Sequence, residues 1–141
     1  MTTDSLLSIV QAQLDAYNAK DIDALLATYA DDAEHYTLHG PQLAKGHAML
    51  RERFLARFQE PDLHAQLLSR TVVGNIVTDA ERITRNFPDG IGLVEMLCIY
   101  EVVDGKIQRA SFVTGARIDT APARWNISGD RSRPGAFSGR A

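Results

Sequence analysis

The hydrophobic period of the sequence changes at Pro61, and this change constrains the fold more than any other feature. Before Pro61, apolar residues recur at intervals of three and four along residues 4–19, 20–33 and 46–58, which predicts three amphipathic helices. After Pro61, long runs of β-type residues are separated by turn signals such as Asp104-Gly105. Helices followed by hairpins indicate an α+β domain in which a curved antiparallel sheet packs against the helices.

The segment "GLVEMLCIYEVV" is apolar on both of its alternating faces. A strand of this kind lies in the centre of a sheet, with helices on one side and a second cover on the other. We expect that second cover to be another copy of the chain, so the sequence predicts a homodimer. Strands this long must bend, and Gly92 and Gly115 are the predicted bend or bulge sites.

The charge of the chain is distributed unevenly. Residues 120–141 contain four arginines and one acid, which leaves 11 basic and 17 acidic side chains in residues 1–119. Such an acidic body argues against nucleic acid as a partner. Residues 120–141 also lack hydrophobic periodicity, so we expect a domain over 1–119 and an irregular C-terminal extension over 120–141, anchored by Trp125 and Phe137.

Two further observations concern location. The N-terminal segment has no basic leader, and no apolar run approaches the roughly 18 residues that cross a membrane. The single cysteine, Cys98, cannot form an internal disulfide and is predicted to be a buried, inert thiol. A cytoplasmic protein with no membrane partner is expected.

Three segments carry a family resemblance: "LDAYNAKDIDALLATYADDAEHY", "GHAMLRERFLARF" and "CIYEVVDGKIQRASFVTG". They resemble the nuclear transport factor 2-like superfamily, in particular its SnoaL-like and ketosteroid isomerase-like branch, over roughly residues 5–118. The resemblance implies a cystatin-like cone, in which a curved antiparallel sheet wraps around a long N-terminal helix and encloses a pocket. It also implies a homodimer and a function between isomerase, cyclase, dehydratase or hydrolase and noncatalytic ligand binding.

The ketosteroid isomerase site pairs an Asp base with an oxyanion hole made by a Tyr and a protonated Asp. The resemblance places these three positions at Gln13, Thr37 and Ile99, and none of them matches. Thr37 cannot act as a base near neutral pH, and Ile99 cannot donate a hydrogen bond. We therefore expect no steroid isomerisation by that mechanism.

The same resemblance, combined with strand alternation, predicts which residues line the pocket. They are Gln13 and Tyr17 from the first helix, His35, Thr37 and His39 from the strand after it, and Glu95, Leu97, Ile99, Phe112 and Thr114 from later strands. Tyr17, His35, His39 and Glu95 are expected to converge, with His35 and Glu95 as proton carriers and Tyr17 as a hydroxyl donor.

Other interpretations of these residues stay open. His35 and His39 are also compatible with a solvated strand edge or with two metal ligands, but no third ligand accompanies them and no metal is predicted. Glu95 is also compatible with an ion pair to an arginine such as Arg82. Asp79 and Glu81 are predicted to lie on a solvated face.

The function that these features favour is that of a SnoaL-like enzyme with an internal apolar pocket. Its chemistry would be acid–base catalysis without a cofactor, namely isomerisation, cyclisation or dehydration of a small carbonyl compound. The alternative is a noncatalytic ligand-binding or dimerisation protein of the same fold.

Overall fold

The structure is a computed structural model, which describes residues 2–118. Its helices and strands are, in chain order, α1 (Thr3–Ala19), α2 (Ile22–Ala27), β1 (Tyr29–Thr37), β2 (Gln42–Lys45), α3 (Gly46–Phe58), β3 (His64–Val73), β4 (Ile76–Phe87), β5 (Gly90–Val103) and β6 (Lys106–Ile118). The predicted extension 120–141, with Trp125 and Phe137, lies outside the described residues. No helix within residues 2–118 combines the length and the apolar character that a membrane span requires.

The three predicted helices are present, but the second is shorter than its sequence pattern predicts. Asp21 caps it by accepting a hydrogen bond from the backbone N–H of Ala24 at 3.1 Å, and the helix ends at Ala27. The "YADDA" segment, predicted to continue the helix, begins β1 instead. In β1, Tyr29, Ala33 and His35 are buried and the residues between them are less so. This pattern fits a strand with one face against the core.

The six strands form one mixed sheet in the order β2-β1-β6-β5-β4-β3. Every neighbouring pair is antiparallel except β1 and β6, which run parallel. The sheet is therefore not purely antiparallel as predicted, because β6 returns beside β1 only after three successive strands joined by hairpins. The predicted hairpin at Asp104-Gly105 joins β5 to β6, and both of its residues have positive φ, 50° and 80°.

A bulge bends the sheet at Gly115, one of the two predicted sites. Between the pairs Val94–Arg117 and Met96–Thr114, two residues of β6 lie opposite the single residue Glu95 of β5. A Cβ atom at position 115 would lie 3.3 Å from the backbone oxygen of Glu95, so the close approach of the strands favours glycine. Gly92, the other predicted site, pairs in regular register with Arg85.

The helices cover one face of the sheet, and the main hydrophobic core lies between them. Apolar side chains of α1, α2 and α3, such as Val10, Leu25 and Leu50, pack with residues from the inner face of the strands, such as Val77 and Ile107. The outer face of the same sheet carries exposed apolar side chains, among them Leu97, Val103 and Val113. The fold is the expected α+β cone, with an inner face that borders a cavity.

Candidate functional site

A cavity of about 420 Å³ lies between α1, α3 and the inner face of the sheet. This volume is in the range of small-molecule sites. Its apolar wall is formed by Leu14, Leu43, Phe54, Ile83, Val94, Met96 and Phe112, and its polar or charged wall by Gln13, Tyr17, His35, Thr37, Arg53, Arg57, Glu81, Arg85, Cys98, Tyr100 and Thr114. An apolar cavity with a few converging polar groups is typical of a binding or active site.

The structure places the residues predicted from the sequence in two groups. Gln13, Tyr17, His35, Thr37, Phe112 and Thr114 line the cavity. His39, Glu95, Leu97 and Ile99 are outside its lining. The residues predicted from α1, β1 and β6 thus share one cavity, apart from His39, whereas those predicted from β5 do not.

On β5 the prediction chose the opposite face of the strand. Met96, Cys98 and Tyr100 point into the cavity, so Leu97 and Ile99 point outward. Because both faces of β5 are apolar, alternation fixed the two sets of residues but not which set faces the helices.

Glu95 lies on this outer face, where one of its oxygens is 3.5 Å from Nη2 of Arg82 and its side chain is 40% exposed. The ion pair with Arg82 is the alternative that the sequence left open. His39 is exposed in the turn after β1, with a φ of 56°. Neither Glu95 nor His39 therefore meets His35 in the cavity.

The carboxylate of the cavity belongs to Glu81, which the sequence prediction assigned to a solvated face. Val77, Asp79, Glu81 and Ile83 alternate along β4 and are all buried, with Asp79 at 0% and Glu81 at 4% exposure. The two acids alternate in step with Val77 and Ile83, and this pattern is the signal in the sequence that could have placed them on the inner face.

Glu81 and Asp79 differ in their partners. Asp79 forms a bidentate ion pair with Arg70, with Nε to Oδ1 at 2.7 Å and Nη2 to Oδ2 at 2.9 Å, and Arg70 also donates to Gln11 at 2.9 Å. Glu81, in contrast, has one carboxylate oxygen, Oε2, without a hydrogen-bond partner among residues 2–118. Burial, together with the nearby negative charge of Asp79, raises the pKa of Glu81 to about 7. Glu81 can therefore exchange a proton near neutral pH.

His35 faces the cavity as a neutral ring with a defined tautomer. Its side chain is 1% exposed, and Nε of Arg53 donates to its Nδ1 at 3.3 Å. Because a guanidinium only donates, Nδ1 must accept, and the proton of the neutral ring is on Nε2. Burial and the charge of Arg53 lower the pKa of His35 to about 3. Nε2 has no partner among the described residues, so its N–H is an unsatisfied buried donor in the cavity wall.

Aromatic rings hold this histidine in place. The centroids of Tyr29 and Phe54 both lie 5.3 Å from that of the His35 ring, and that of Phe112 lies 4.9 Å away. All three contacts are edge-to-face. The orientation of Nε2 is therefore fixed before a ligand enters.

Tyr17 and Gln13 have different roles in the cavity wall. The hydroxyl of Tyr17 stays protonated, because burial raises the pKa of this side chain to about 12, and its ring packs edge-to-face on Phe58 at 5.7 Å. Gln13 joins two buried tyrosines: its Nε2 donates to Tyr29 at 3.4 Å, and its Oε1 accepts from Tyr100 at 3.3 Å. The Gln13 side chain therefore has a structural role in the cavity wall, whereas the Tyr17 hydroxyl is a candidate hydrogen-bond donor to a ligand.

Within residues 2–118, no three His, Cys, Asp or Glu side chains are grouped as metal ligands.

The model of the SnoaL-like domain family matches residues 10–110 of the chain. The chain belongs to this family. A comparison with curated proteins gives no match.

Solved structures show which proteins share this SnoaL-like fold. An uncharacterized cystatin-fold protein from Novosphingobium aromaticivorans is 26% identical, with 77% of this chain and 97% of that chain covered and a TM-score of 0.72. A candidate polyketide cyclase from Sinorhizobium meliloti is 25% identical, with 75% and 94% covered and a TM-score of 0.65. A candidate ketosteroid isomerase from Kribbella flavida, 16% identical, shares the fold with a TM-score of 0.70 and 89% and 88% covered.

The ketosteroid isomerase positions can now be located in this SnoaL-like domain. Gln13 and Thr37 line the cavity, but Ile99 is outside its lining, on the outer face of β5. The oxyanion position assigned to Ile99 from the sequence is therefore not a cavity position. The cavity carboxylate with a raised pKa is instead that of Glu81 on β4, and a buried N–H without a partner among residues 2–118 belongs to His35 on β1.

Proposed function

We propose that the protein is an enzyme that moves a proton at the carbon next to a carbonyl group of a small, mostly apolar substrate. The observation that carries this proposal is Glu81, a buried carboxylate in the cavity wall with a pKa of about 7 and one oxygen without a partner among residues 2–118. Groups whose pKa lies near the working pH are the most effective acid–base catalysts.

The proposed reaction uses Glu81 and His35 in separate roles. The Glu81 carboxylate takes a proton from the carbon next to the carbonyl, and the electron pair of that C–H bond moves onto the carbonyl oxygen to form an enolate. The N–H at Nε2 of His35 donates a hydrogen bond to this oxygen and stabilises its negative charge. Protonated Glu81 then returns the proton to the enolate or to a leaving hydroxyl group.

Tyr17 is the second proposed donor, because its phenol stays protonated at neutral pH and lines the same cavity. The family supports a small-molecule substrate of this kind, and the relative named as a candidate polyketide cyclase supports cyclisation as the overall reaction. An enolate is the intermediate that isomerisation, aldol cyclisation and dehydration have in common, so the proton transfer is the step to test first.

Exchange of hydrogen for deuterium tests proton abstraction without knowledge of the natural substrate. We would incubate 2-tetralone and a small panel of aryl ketones with the protein in D₂O and follow loss of the proton signal next to the carbonyl by NMR. Exchange should accelerate over buffer, and its rate should rise as the pH passes through about 7, because Glu81 acts as the carboxylate. Glu81→Gln should lose about 100-fold or more of this acceleration.

Two further variants sharpen the test. Glu52→Gln changes an exposed carboxylate of α3 and should leave the exchange rate unchanged. Glu95→Gln removes the carboxylate that the sequence predicted as a proton carrier, and its exchange rate is compared with that of Glu81→Gln. Loss of exchange in Glu95→Gln but not in Glu81→Gln would contradict the assignment of Glu81 as the base, and binding of the whole panel without any exchange would favour a noncatalytic ligand-binding protein.

We further propose that the protein is a homodimer that buries the outer face of the sheet. Leu97 and Val113 are paired neighbours on this face and are exposed by 37% and 41% in the isolated chain, with Ile99 beside them. An apolar patch on a sheet is seldom left open to water in a soluble protein. Light scattering should give twice the mass of the 15.5 kDa chain, and a monomer at micromolar concentration would refute the proposal.

A further inference from the structure

One wall of the cavity is rich in arginine, although the body of the protein is acidic. Arg53 and Arg57 of α3 and Arg85 of β4 all line the cavity. Arg85 is neutralised by a bidentate pair with Glu60, with its Nε and Nη2 at 2.7 and 2.8 Å from the two carboxylate oxygens. Nε of Arg57 lies 4.0 Å from the same carboxylate. Glu60 is thus shared between two guanidinium groups.

Arg53 differs from both, since no carboxylate of residues 2–118 lies within ion-pair distance of it. Its Nε donates to the neutral ring of His35, and its guanidinium carbon lies 6.0 Å from the ring centroid of Phe112. The terminal nitrogens, Nη1 and Nη2, donate to no residue in the described part of the chain. A guanidinium has five N–H donors, so Arg53 keeps four of them for another partner.

The lack of an ion pair for Arg53 among the described residues does not result from a small number of acidic side chains. Residues 1–119 contain 17 acidic side chains, and Arg51, two residues away on the same helix, pairs with Asp23 at 2.9 Å. A half-buried cation beside an apolar cavity is costly unless an anion accompanies it. The expected anion is therefore one that enters the cavity with the ligand.

We propose that the substrate is an organic anion, namely a small apolar oxo acid whose carboxylate binds the terminal nitrogens of Arg53. A planar carboxylate matches the two parallel N–H groups of a guanidinium. Because Arg53 donates to Nδ1 of His35, a carboxylate bound to Arg53 would lie beside the ring that supplies the proposed donor. The inference rests on the proposed function and adds the substrate class to it.

Calorimetric titration with 2-naphthoate and with 2-naphthamide tests this inference, because the two probes have nearly the same shape and differ in charge. The protein should bind 2-naphthoate at least about tenfold more tightly than the amide, which corresponds to about 1.4 kcal/mol. Arg53→Gln should reduce this preference to less than about twofold, whereas Arg53→Lys should keep part of it. Arg51→Gln, on the exposed side of α3, should keep all of it.

The inference is overturned if the amide binds as tightly as the carboxylate, if 2-naphthoate shows no binding up to millimolar concentration, or if Arg53→Gln keeps the full preference. The Glu81→Gln variant separates this result from the proposed function. That variant should still prefer 2-naphthoate even though it lacks proton exchange. A protein that prefers the carboxylate but catalyses no exchange would refute the proposed reaction alone, and exchange that depends on Glu81 without a charge preference would refute the substrate class alone.

Discussion

Replacing Glu81 with Gln should stabilise the protein at high pH and change little at low pH. Gln has the shape of the protonated acid but cannot ionise, so it removes the cost of burying a negative charge at this position. The pKa of Glu81 is raised from an ordinary 4.5 to about 7 by burial. The stability that the protonated side chain supports is present below pH 4.5 and is lost as the pH rises through about 7.

The size of the effect follows from this difference in pKa. Each pH unit between the unfolded and the folded pKa corresponds to about 1.4 kcal/mol for a group that titrates alone. From 4.5 to about 7, the cost of ionising Glu81 in the folded protein therefore reaches about 3 kcal/mol. The side chain is only 4% exposed, so solvent screening reduces this figure little.

Urea denaturation followed by circular dichroism measures the free energy of unfolding of both proteins from about pH 4.5 to pH 8. The difference between Glu81→Gln and the parent protein should be near zero at the acidic end and should approach about 3 kcal/mol at the basic end. Subtracting the free energy of unfolding of the parent protein from that of the variant removes the contributions of groups that titrate equally in both proteins. Glu52→Gln, which changes an exposed carboxylate, should give a flat difference within about 0.5 kcal/mol. A flat difference for Glu81→Gln would refute the assignment of its raised pKa.

Three further variants or assays test other parts of the structure. Arg70→Met leaves the Asp79 carboxylate buried without its ion pair and should lower the free energy of unfolding by about 3–5 kcal/mol; adding Asp79→Asn should restore part of it, and a loss below about 1 kcal/mol would contradict the buried pair. Asn18→Ala removes the two hydrogen bonds, at 2.8 and 2.9 Å, that join α1 to the backbone of Ala65 in β3, and should cost about 1–3 kcal/mol in the same urea assay. A Δ5-3-ketosteroid should not be converted efficiently to its conjugated isomer, as followed by the absorbance of the conjugated ketone, because Thr37 supplies no carboxylate at the position that the resemblance assigns to the base and the Glu81 carboxylate enters the cavity from β4 instead; turnover within about tenfold of a known isomerase would show that Glu81 or another group performs this step.

The parts of the fold that the sequence predicted correctly depend on short-range rules. Asp21 caps a helix because its side chain reaches the free N–H groups of the next turn, and Asp104-Gly105 forms a hairpin because both residues tolerate positive φ. His35 was placed on the inner face because the resemblance put Thr37 in the pocket, and alternation along β1 carries that choice over two residues to His35. Each of these rules needs only a few neighbouring residues.

The parts of the site that were missed depend on which face the helices cover. On β5 both faces are apolar, so Glu95 and Cys98 were equally compatible with the inside. On β4 the cluster of charges around Glu81 outweighed the parity that it shares with Val77 and Ile83. The partners that define the site, such as Arg53 at Nδ1 of His35, are distant in sequence, and no local pattern indicates them.

The parallel pairing of β1 and β6 determines when the cavity can form during synthesis. The strand that carries His35 lies between β2 and β6, and β6 is the last strand of the described domain to be translated. Until β6 has left the ribosome, His35 has no backbone partner at Ala110 and its ring lacks the contact with Phe112. The nascent chain therefore exposes an unpaired strand edge beside an apolar half-cavity, which is the kind of surface that chaperones bind and that aggregates. A fragment that ends before Lys106 would therefore lack the strand that completes the cavity wall around His35.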